Sequence, residues 1–172
     1  MLAFVTVGST RFDPLVAAVF TEDVLSSLRQ KGYSKLVVQC GNSAFEHSLV
    51  IQNGGTQRMS RAGVDIEFYK FKPSLQEDYD RADLVISHAG SGTILDVRRM
   101  GKPMIVVPNP TLLDNHQAEL ASALEEMGYL KATTVDGLAQ TIKDFDASKI
   151  KPFPPFNGSR FAKIVDEMVE FI

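Results

Sequence analysis

The feature that most constrains the fold is the alternation of short apolar runs with helical segments along all 172 residues. Leu84, Val85 and Ile86 form one run that is apolar throughout, as expected for a strand buried on both faces of a sheet. We predict six strands, at 2–7, 35–40, 64–71, 83–87, 104–107 and 129–134. Strands that alternate with helices imply right-handed crossovers and a mostly parallel sheet. The sequence therefore predicts an α/β fold, a single Rossmann-like, doubly wound domain.

Local end signals locate the helices between these strands. Asp13-Pro14 is typical of an N-cap and a first helical position, and the apolar spacing that follows predicts one helix as far as Gly32. A capping-box pattern from Ser74 to Glu77 predicts a short helix at 74–82. Further helices are predicted at 90–101, 114–128, 138–145 and 161–172, with an extended strap at 146–157. The weakly periodic segment 44–63 is predicted as a short helix followed by irregular chain, and we assign it no role.

Composition narrows the classes of function. A chain of this length suits one domain, and its single cysteine, Cys40, excludes an intrachain disulfide. The net charge of −3 provides no cationic surface, so we expect no nucleic-acid partner. No apolar run approaches the roughly 20 residues of a membrane-spanning helix, and the start of the chain lacks the pattern of a secretory signal. Together with the lone cysteine, these features predict a cytosolic protein.

Three turns follow predicted strands at the carboxyl edge of the sheet, where ligands bind in doubly wound folds. They are Gly8 to Thr10, His88 to Thr93 and Asn109 to Gln117. The second turn enters a helix through small residues, and the unpaired amides of a helix start favour phosphate. Asp96, one helical turn further on, could accept hydrogen bonds from a pair of ribose hydroxyls. We therefore predict a site for a nucleotide-sugar diphosphate.

Each turn also has a purely structural interpretation. Glycines at 90 and 92 allow a helix to pack closely on a strand, and His88 could equally bond to the backbone. Asp114 and Gln117 could cap a helix start, and the hydroxyls of Ser9 and Thr10 could serve as turn or cap residues. The location of all three turns at one edge of the sheet favours the ligand-binding interpretation.

Motifs for several other chemistries are missing or incomplete. Neither glycine-rich turn has the lysine of a Walker phosphate loop. Leu95 stands where the dinucleotide-binding fingerprint requires its third glycine. The three histidines, at 47, 88 and 116, lack the spacing of a zinc peptidase helix. We expect no metal site and no cofactor.

The segments Asp83 to Asp96, Gly101 to Asn109 and Asp114 to Gln117 closely resemble one family. It is the small subunit of the two-chain UDP-N-acetylglucosamine transferase of the dolichol pathway. Similarity extends to 4–10, 38–41 and 149–154 and so covers nearly the whole chain. The resemblance implies that 1–145 form a nucleotide-sugar-binding domain, the C-terminal half of a GT-B glycosyltransferase. It is similar to that half of the bacterial enzyme that makes lipid II.

The resemblance also implies roles for individual residues. By this resemblance, the diphosphate is expected to be bound by His88, Gly90, Ser91, Gly92 and Thr93, and the ribose by Asp96. The resemblance also places three residues against the sugar or diphosphate, namely Asn109, Asn115 and Gln117. The facing rim is expected to consist of Gly8, Ser9 and Thr10. Single-chain bacterial relatives usually carry glutamate at the position of Asp96, so the carboxylate here is one methylene shorter.

The reaction implied by the resemblance is transfer of N-acetylglucosamine from UDP-GlcNAc to GlcNAc-diphospho-dolichol, with inversion and without a metal. The chain has the length of only one GT-B half. The acceptor half and the lipid-linked GlcNAc acceptor are therefore expected on a membrane-anchored partner, which would recruit this chain to the cytosolic face of the endoplasmic reticulum. We predict that 146–172 contain the docking element, with the apolar face of 161–172 against either the partner or its own domain.

The general base is not identified from the sequence. His88 and His116 are candidate contributors, and the partner is the expected source of the base. Two alternative functions remain open: the small subunit of a bacterial exopolysaccharide glycosyltransferase, which would share the donor site but use another lipid-linked acceptor, and a non-catalytic nucleotide-binding scaffold of the same fold.

Overall fold

The computed structural model describes residues 1–51, 55–111 and 116–155, which contain seven strands and six α-helices. The strands are β1 (Leu2–Thr6), β2 (Lys35–Gln39), β3 (Gln57–Arg61), β4 (Val64–Tyr69), β5 (Leu84–His88), β6 (Met104–Val107) and β7 (Lys131–Ala132). The helices are α1 (Asp13–Val19), α2 (Glu22–Gln30), α3 (Gln76–Arg81), α4 (Ser91–Arg99), α5 (His116–Glu126) and α6 (Leu138–Asp144). Short 3-10 turns lie at Ser48–Val50 and Ala147–Lys149.

The strands form one sheet in the order β3-β4-β2-β1-β5-β6-β7. Every neighbouring pair is parallel except β3 with β4. The chain moves outward from β1 in one direction and then returns to add β5, β6 and β7 on the other side. The carboxyl ends of β1 and β5 are therefore neighbours at the switch point, where doubly wound folds bind ligands. The predicted α/β, doubly wound, mostly parallel architecture is confirmed.

Two apolar layers hold helices on opposite faces of the sheet. Successive residues of β1 point to opposite faces, so Val5 belongs to one layer and Phe4 to the other. The layer of Val5 includes side chains from α1, α2 and α6. The layer of Phe4 includes Tyr79 of α3, Ile94 of α4 and Ala121 of α5. The sheet is thus a rigid base for the turns at its carboxyl edge.

The prediction of irregular chain through 63 was wrong, because β3 runs antiparallel to β4 in a hairpin. Ala62 and Gly63 connect the two strands with φ values of 50° and 72°. Two central residues with positive φ are characteristic of a type I′ turn, which matches the twist of paired strands. As an edge strand with largely exposed polar side chains, β3 lacks the apolar periodicity on which the prediction relied.

The single helix predicted from Asp13 to Gly32 is two helices. Thr21 interrupts them in an extended conformation, and its hydroxyl accepts a hydrogen bond from the amide of Val24 at the start of α2. Asp13 is also not the N-cap of α1, which is Phe12. The Asp13 carboxylate instead pairs with Arg11 and accepts a hydrogen bond from the amide of Ala44.

Smaller differences concern element ends. The helix predicted at 74–82 begins at Gln76, whose amide donates to the hydroxyl of Ser74. The strand predicted at 129–134 is reduced to Lys131–Ala132, after which the amide of Thr133 donates one further hydrogen bond to Val106. These ends moved because side-chain and tertiary hydrogen bonds, which sequence periodicity does not report, decide them.

The strap after α6 lies against the opposite, amino-terminal edge of the sheet. The amide of Lys151 donates to the carbonyl of Gly128, and the guanidinium of Arg98 donates to the carbonyl of Lys151 at 2.8 Å. The rings of Tyr129 and Phe153 meet edge to face, 5.1 Å apart. The predicted helix 161–172 lies outside the described residues, so the boundary at 145/146 stays a prediction. None of the helices described is long and apolar enough to span a bilayer.

Candidate functional site

The start of α4 presents free backbone amides at the switch point. Gly90 is the N-cap, in an extended conformation, and no side chain caps this helix. Within the described ranges, the amides of Ser91, Gly92 and Thr93 have no hydrogen-bond acceptor. The aligned peptides of a helix place the equivalent of about half a positive charge at its N-terminus. An anion such as a phosphate is therefore favoured at this point.

The two glycines of this turn have different roles. A Cβ at Gly90 would lie 2.4 Å from Nε2 of His88, so glycine is required there by the packing of the histidine ring. A Cβ at Gly92 would meet nothing within 4 Å. Gly92 is not needed for packing among the described residues, and its exposed backbone leaves an open approach to the amides.

The Gly8 turn also packs against the His88 ring. Gly8 has a φ of +59°, and a Cβ on it would lie 3.2 Å from Cε1 of His88. The amide of Gly8 already donates to Oε1 of Gln39 at 2.8 Å, and the amide of Thr10 donates to the carbonyl of Val7. Of the predicted rim residues, Ser9 is exposed, and its amide is without an acceptor in the part of the chain that the structure describes. A ligand at this rim would therefore meet Ser9 rather than the peptide of Gly8.

His88 is a neutral, buried residue. Its exposed fraction is 7%, and its Nδ1 has no hydrogen-bond partner among the described residues. Burial lowers the pKa of its imidazole, with a smaller opposing effect from the backbone of Thr6. Because its usual pKa is about 6.5, the ring is uncharged at neutral pH. His88 thus shapes the turn and contributes no positive charge to a diphosphate.

Tyr79 was missed by the sequence analysis and lies beside two predicted site residues. The Thr93 hydroxyl and the Asp96 carboxylate both act on the pKa of the Tyr79 phenol, the hydroxyl lowering it and the negative charge raising it. Burial is the main reason that the pKa of Tyr79 is raised, and that pKa keeps it protonated. Thr93 and Asp96, three residues apart on α4, therefore share the side of the helix that faces α3. The Asp96 carboxylate itself is exposed.

Asn109 joins the third turn to the first. Its side chain is buried, its Nδ2 donates to the carbonyl of Arg11 at 3.2 Å, and its Oδ1 accepts from Thr111. Its backbone amide donates to Oε1 of Gln117 at 3.0 Å. The Asn109 side chain is thus occupied in holding the loops together, while Nε2 of Gln117 is without a partner among the described residues.

A cavity of about 580 Å³ opens beside Asn109 and Gln117, between α5 and the loop after β7. Its base consists of small residues that include Ala118, Ala121 and Ala132. His116 lies at the start of α5 with an exposed side chain, and its Nδ1 is 3.9 Å from a carboxylate oxygen of Glu119. Asn115 lies outside the described residues. In the ranges described, no group of three or more acidic, histidine or cysteine side chains could hold a metal ion.

The structure thus gathers the predicted residues that it describes along one edge: the Gly8 turn and the α4 start both contact His88, and the Asn109–Gln117 pair lies next to the Gly8 turn. Sequence reasoning missed Gln39 and Thr6, whose side chains hydrogen-bond to each other and to the Gly8 amide. The available signal was a polar residue at the end of an otherwise apolar buried strand, immediately before Cys40-Gly41.

Comparison with known proteins identifies the family to which this chain belongs. Residues 2–168 match the family model described as the glycosyltransferase family 28 C-terminal domain. The chain belongs to this family. Its curated relatives include the UDP-N-acetylglucosamine transferase subunit ALG13 of Saccharomyces cerevisiae, 34% identical over 96% of this chain and 95% of that protein. The human protein of the same name is 40% identical over 81% of this chain.

The extent of the match differs among these relatives. The chain spans only 12% of the human protein and 10% of the mouse protein, which is 44% identical. An NMR solution structure of ALG13 is 32% identical, with a TM-score of 0.66 over 95% of this chain and 94% of that one. The crystal structure of Acinetobacter baumannii MurG, 20% identical, has a TM-score of 0.61 over 42% of its chain and supports the fold alone.

Proposed function

We propose that this chain is the donor-binding subunit of a UDP-N-acetylglucosamine transferase. The observation that carries the proposal is the uncapped start of α4, with its open approach at Gly92, beside the Gly8 turn. The relatives that match nearly their whole length are named subunits of such a transferase. A diphosphate on the amides of Ser91, Gly92 and Thr93 would lie in the field of the helix, with the ribose at Asp96.

The sugar of the donor would lie toward Gln117. Its Oε1 accepts from the amide of Asn109, which sets the amide orientation, and its Nε2 has no acceptor among the described residues. The adjacent cavity has room for a hexose with its acetamido group. We include Asn109 as the residue that orients Gln117, and Asn115 as a sugar contact from sequence alone.

In the proposed reaction, an acceptor hydroxyl oxygen attacks the anomeric carbon of the donor as the bond from that carbon to the β-phosphate oxygen breaks. Negative charge develops on the departing diphosphate, and preorganised amides at the helix start stabilise it. The hydroxyl proton passes to a general base. His88 is buried and neutral and packs between two glycines, which suits it to shaping the turn. We expect the base on the partner, or His116 at the exposed rim.

The acceptor, a lipid-linked GlcNAc, would be bound by a second, membrane-anchored polypeptide that supplies the other half of the cleft. The relatives are named as subunits of a transferase, which supports the existence of such a partner. The complex would act at the cytosolic face of the endoplasmic reticulum, in synthesis of the dolichol-linked oligosaccharide. Residues 161–172 are the proposed docking element.

Titration of UDP-GlcNAc followed by NMR, with UDP-glucose as the control, tests the donor site. We expect chemical-shift changes at Ser91 to Asp96 and at Gln117, larger for UDP-GlcNAc. If the isolated chain shows none, the titration is repeated on the complex with the partner. Absence of binding there as well would contradict the proposal and favour a non-catalytic scaffold.

Removal of 161–172 tests the docking element. The truncated chain should retain its donor-induced shifts but no longer co-purify with the partner or with membranes. Unchanged co-purification would show that the docking surface lies elsewhere on the domain.

A further inference from the structure

The side-chain amide of Gln39 makes four hydrogen bonds at the carboxyl edge of the sheet. Its Oε1 accepts from the amide of Gly8 at 2.8 Å and from the hydroxyl of Thr6 at 2.6 Å. Its Nε2 donates to the carbonyl of Gly8 at 2.9 Å and to the carbonyl of Lys70 at 2.8 Å. Gln39 is 1% exposed. The buried side chain of Gln39 thus forms hydrogen bonds with both the amide and the carbonyl of Gly8.

Only an amide of this length satisfies all four partners. Gly8 presents a donor and an acceptor, so the side chain that bonds to both must itself contain an acceptor and a donor. Reversal of the amide would place its NH₂ against the Gly8 amide and its oxygen against two carbonyls, so the orientation is determined by the network. A carboxylate would face the carbonyls of Gly8 and Lys70 without a proton to give. An apolar side chain would leave the carbonyl of Gly8 without its donor, which is costly. The Gly8 amide and the Lys70 carbonyl would each lose one of two hydrogen bonds, because they also bond to the Thr6 hydroxyl and to the Gly41 amide.

The fourth hydrogen bond, from Gln39 to the carbonyl of Lys70, connects the Gly8 turn to the loop after β4. Lys70 follows Tyr69, whose hydroxyl donates to the buried carboxylate of Asp78 at 2.5 Å. The ammonium of Lys72 donates to the same carboxylate at 2.9 Å. The carbonyl of Lys70 is therefore a fixed point to which Gln39 connects the Gly8 turn.

Opposite Gln39, the Gly8 turn packs on His88, the residue before the turn that opens α4. A Cβ on Gly8 would lie 3.2 Å from the His88 ring, and one on Gly41 would lie 2.8 Å from the carbonyl of Gly8. The Gly8 peptide is therefore confined between β2 and β5, in a positive-φ conformation that only glycine adopts readily. Its neighbour Ser9 is left exposed at the rim.

We infer that Gln39 is a positioning residue for the donor site. It touches no ligand; it holds the Gly8 turn in the conformation that directs Ser9 toward the diphosphate, before the donor arrives. The part of this inference that concerns the donor rests on the proposed function. The part that concerns the turn does not, because it depends only on hydrogen bonds within this chain.

Gln39→Glu and Gln39→Met test the inference on the full chain and on its complex with the partner. Both variants should show faster amide hydrogen exchange at Gly8 and altered shifts at Gly8 to Thr10 in the ligand-free protein. The donor Kd and KM should rise tenfold or more, with a much smaller change in kcat. For Gln39→Glu, the rise should shrink on acidification, since a protonated carboxyl regains one donor.

Thr6→Val provides a milder variant if both substitutions prevent folding. It removes one of the four bonds of Gln39 and the bond that the Gly8 amide donates to the Thr6 hydroxyl, while all three other bonds of Gln39 remain. The side-chain shape is retained, so a rise in donor Kd of about threefold is expected. Ser27→Ala is the matched control. Ser27 is a buried hydroxyl on α2 that donates to the carbonyl of Asp23, remote from the site, and its loss should leave the donor Kd unchanged.

The outcomes separate the two proposals. A wild-type donor Kd in folded Gln39 variants would overturn the role in donor binding, and unchanged exchange at Gly8 would overturn the positioning of the turn. If the wild-type complex fails to bind UDP-GlcNAc, the proposed function fails, and exchange at Gly8 in the ligand-free variants still decides whether Gln39 holds the turn.

Discussion

Gly8 and His88 meet at the switch point of the sheet, where the ends of β1 and β5 lie side by side. The missing side chain of Gly8 leaves the space that the His88 ring fills, since an added Cβ would approach Cε1 to 3.2 Å. The same ring excludes a Cβ from Gly90. One buried imidazole therefore sets the backbone of both turns that flank the proposed diphosphate site, and this relationship leads to distinct expectations for the glycines around it.

Substitution of Gly90 and Gly92 should have opposite consequences. Gly92→Val should leave the free energy of unfolding nearly unchanged, because its surroundings are open, but should weaken donor binding by blocking access to the amides. Gly90→Ala should cost about 1–3 kcal/mol of stability by overpacking against His88. Urea unfolding and UDP-GlcNAc titration of both variants measure the two effects. Normal transferase activity of Gly92→Val in the complex would count against the diphosphate site.

Stability should fall on mild acidification because of His88. Its folded-state pKa is lowered by burial, so below the unfolded value of about 6.5 the unfolded chain binds the proton first. The contribution of neutral His88 is thus complete above that pH and is lost below it, with a limiting slope of about 1.4 kcal/mol per pH unit. Urea unfolding between pH 7.5 and 5.5 should show a weaker pH dependence for His88→Asn than for the wild type. Parallel curves for the two proteins would exclude His88 as the source.

Arg98 should be required for attachment of the strap. Its buried guanidinium donates to the carbonyls of Lys102 and Lys151, and burial lowers its pKa. Arg98→Met should reduce the free energy of unfolding by about 1–3 kcal/mol, because these carbonyls lose their donors. Limited proteolysis should then cleave near Lys149 or Lys151 more rapidly.

A surface arginine provides the control for this experiment. Arg58 pairs with Glu67 on the exposed edge of the sheet, and such pairs contribute about 0–1 kcal/mol. Arg58→Met should therefore leave both the unfolding midpoint and strap proteolysis near the wild-type values. Equal effects of the two substitutions would indicate that the bonds to the strap contribute nothing specific.

Asp96→Asn tests the ribose assignment. An exposed carboxylate is not needed for folding, so the free energy of unfolding should stay within about 0.5 kcal/mol of the wild type. Loss of a charge-assisted hydrogen bond to a ribose hydroxyl should weaken donor binding roughly fivefold, on the order of 1 kcal/mol. Separate titrations of donor and acceptor should show an effect on the donor only. Asp80→Asn, on the exposed side of α3, is the matched control and should leave the donor Kd as it is.

The sequence by itself determined the fold class and pointed to the candidate site. Apolar runs such as Leu84 to Ile86, between turn and helix signals, favour strands buried on both faces of a sheet, and the small residues from Ala89 to Thr93 favour a turn that enters a helix with its amides exposed. Both are local properties, since they depend on residues a few positions apart. For the same reason Gly90 and Gly92 were recognised together, although only the structure distinguishes their roles.

Tertiary structure alone decided the features that depend on contacts distant in sequence. The edge strand β3 exists because β4 pairs with it, and its own residues carry no apolar pattern. Gln39 reaches Gly8 from 31 residues away, and Asn109 reaches Arg11 from 98. A polar side chain at the end of a strand could form hydrogen bonds with any of several loops, and the residue type alone does not indicate which loop it will contact. Its partner is decided when the sheet brings strand ends together and burial obliges each polar group to find a hydrogen bond.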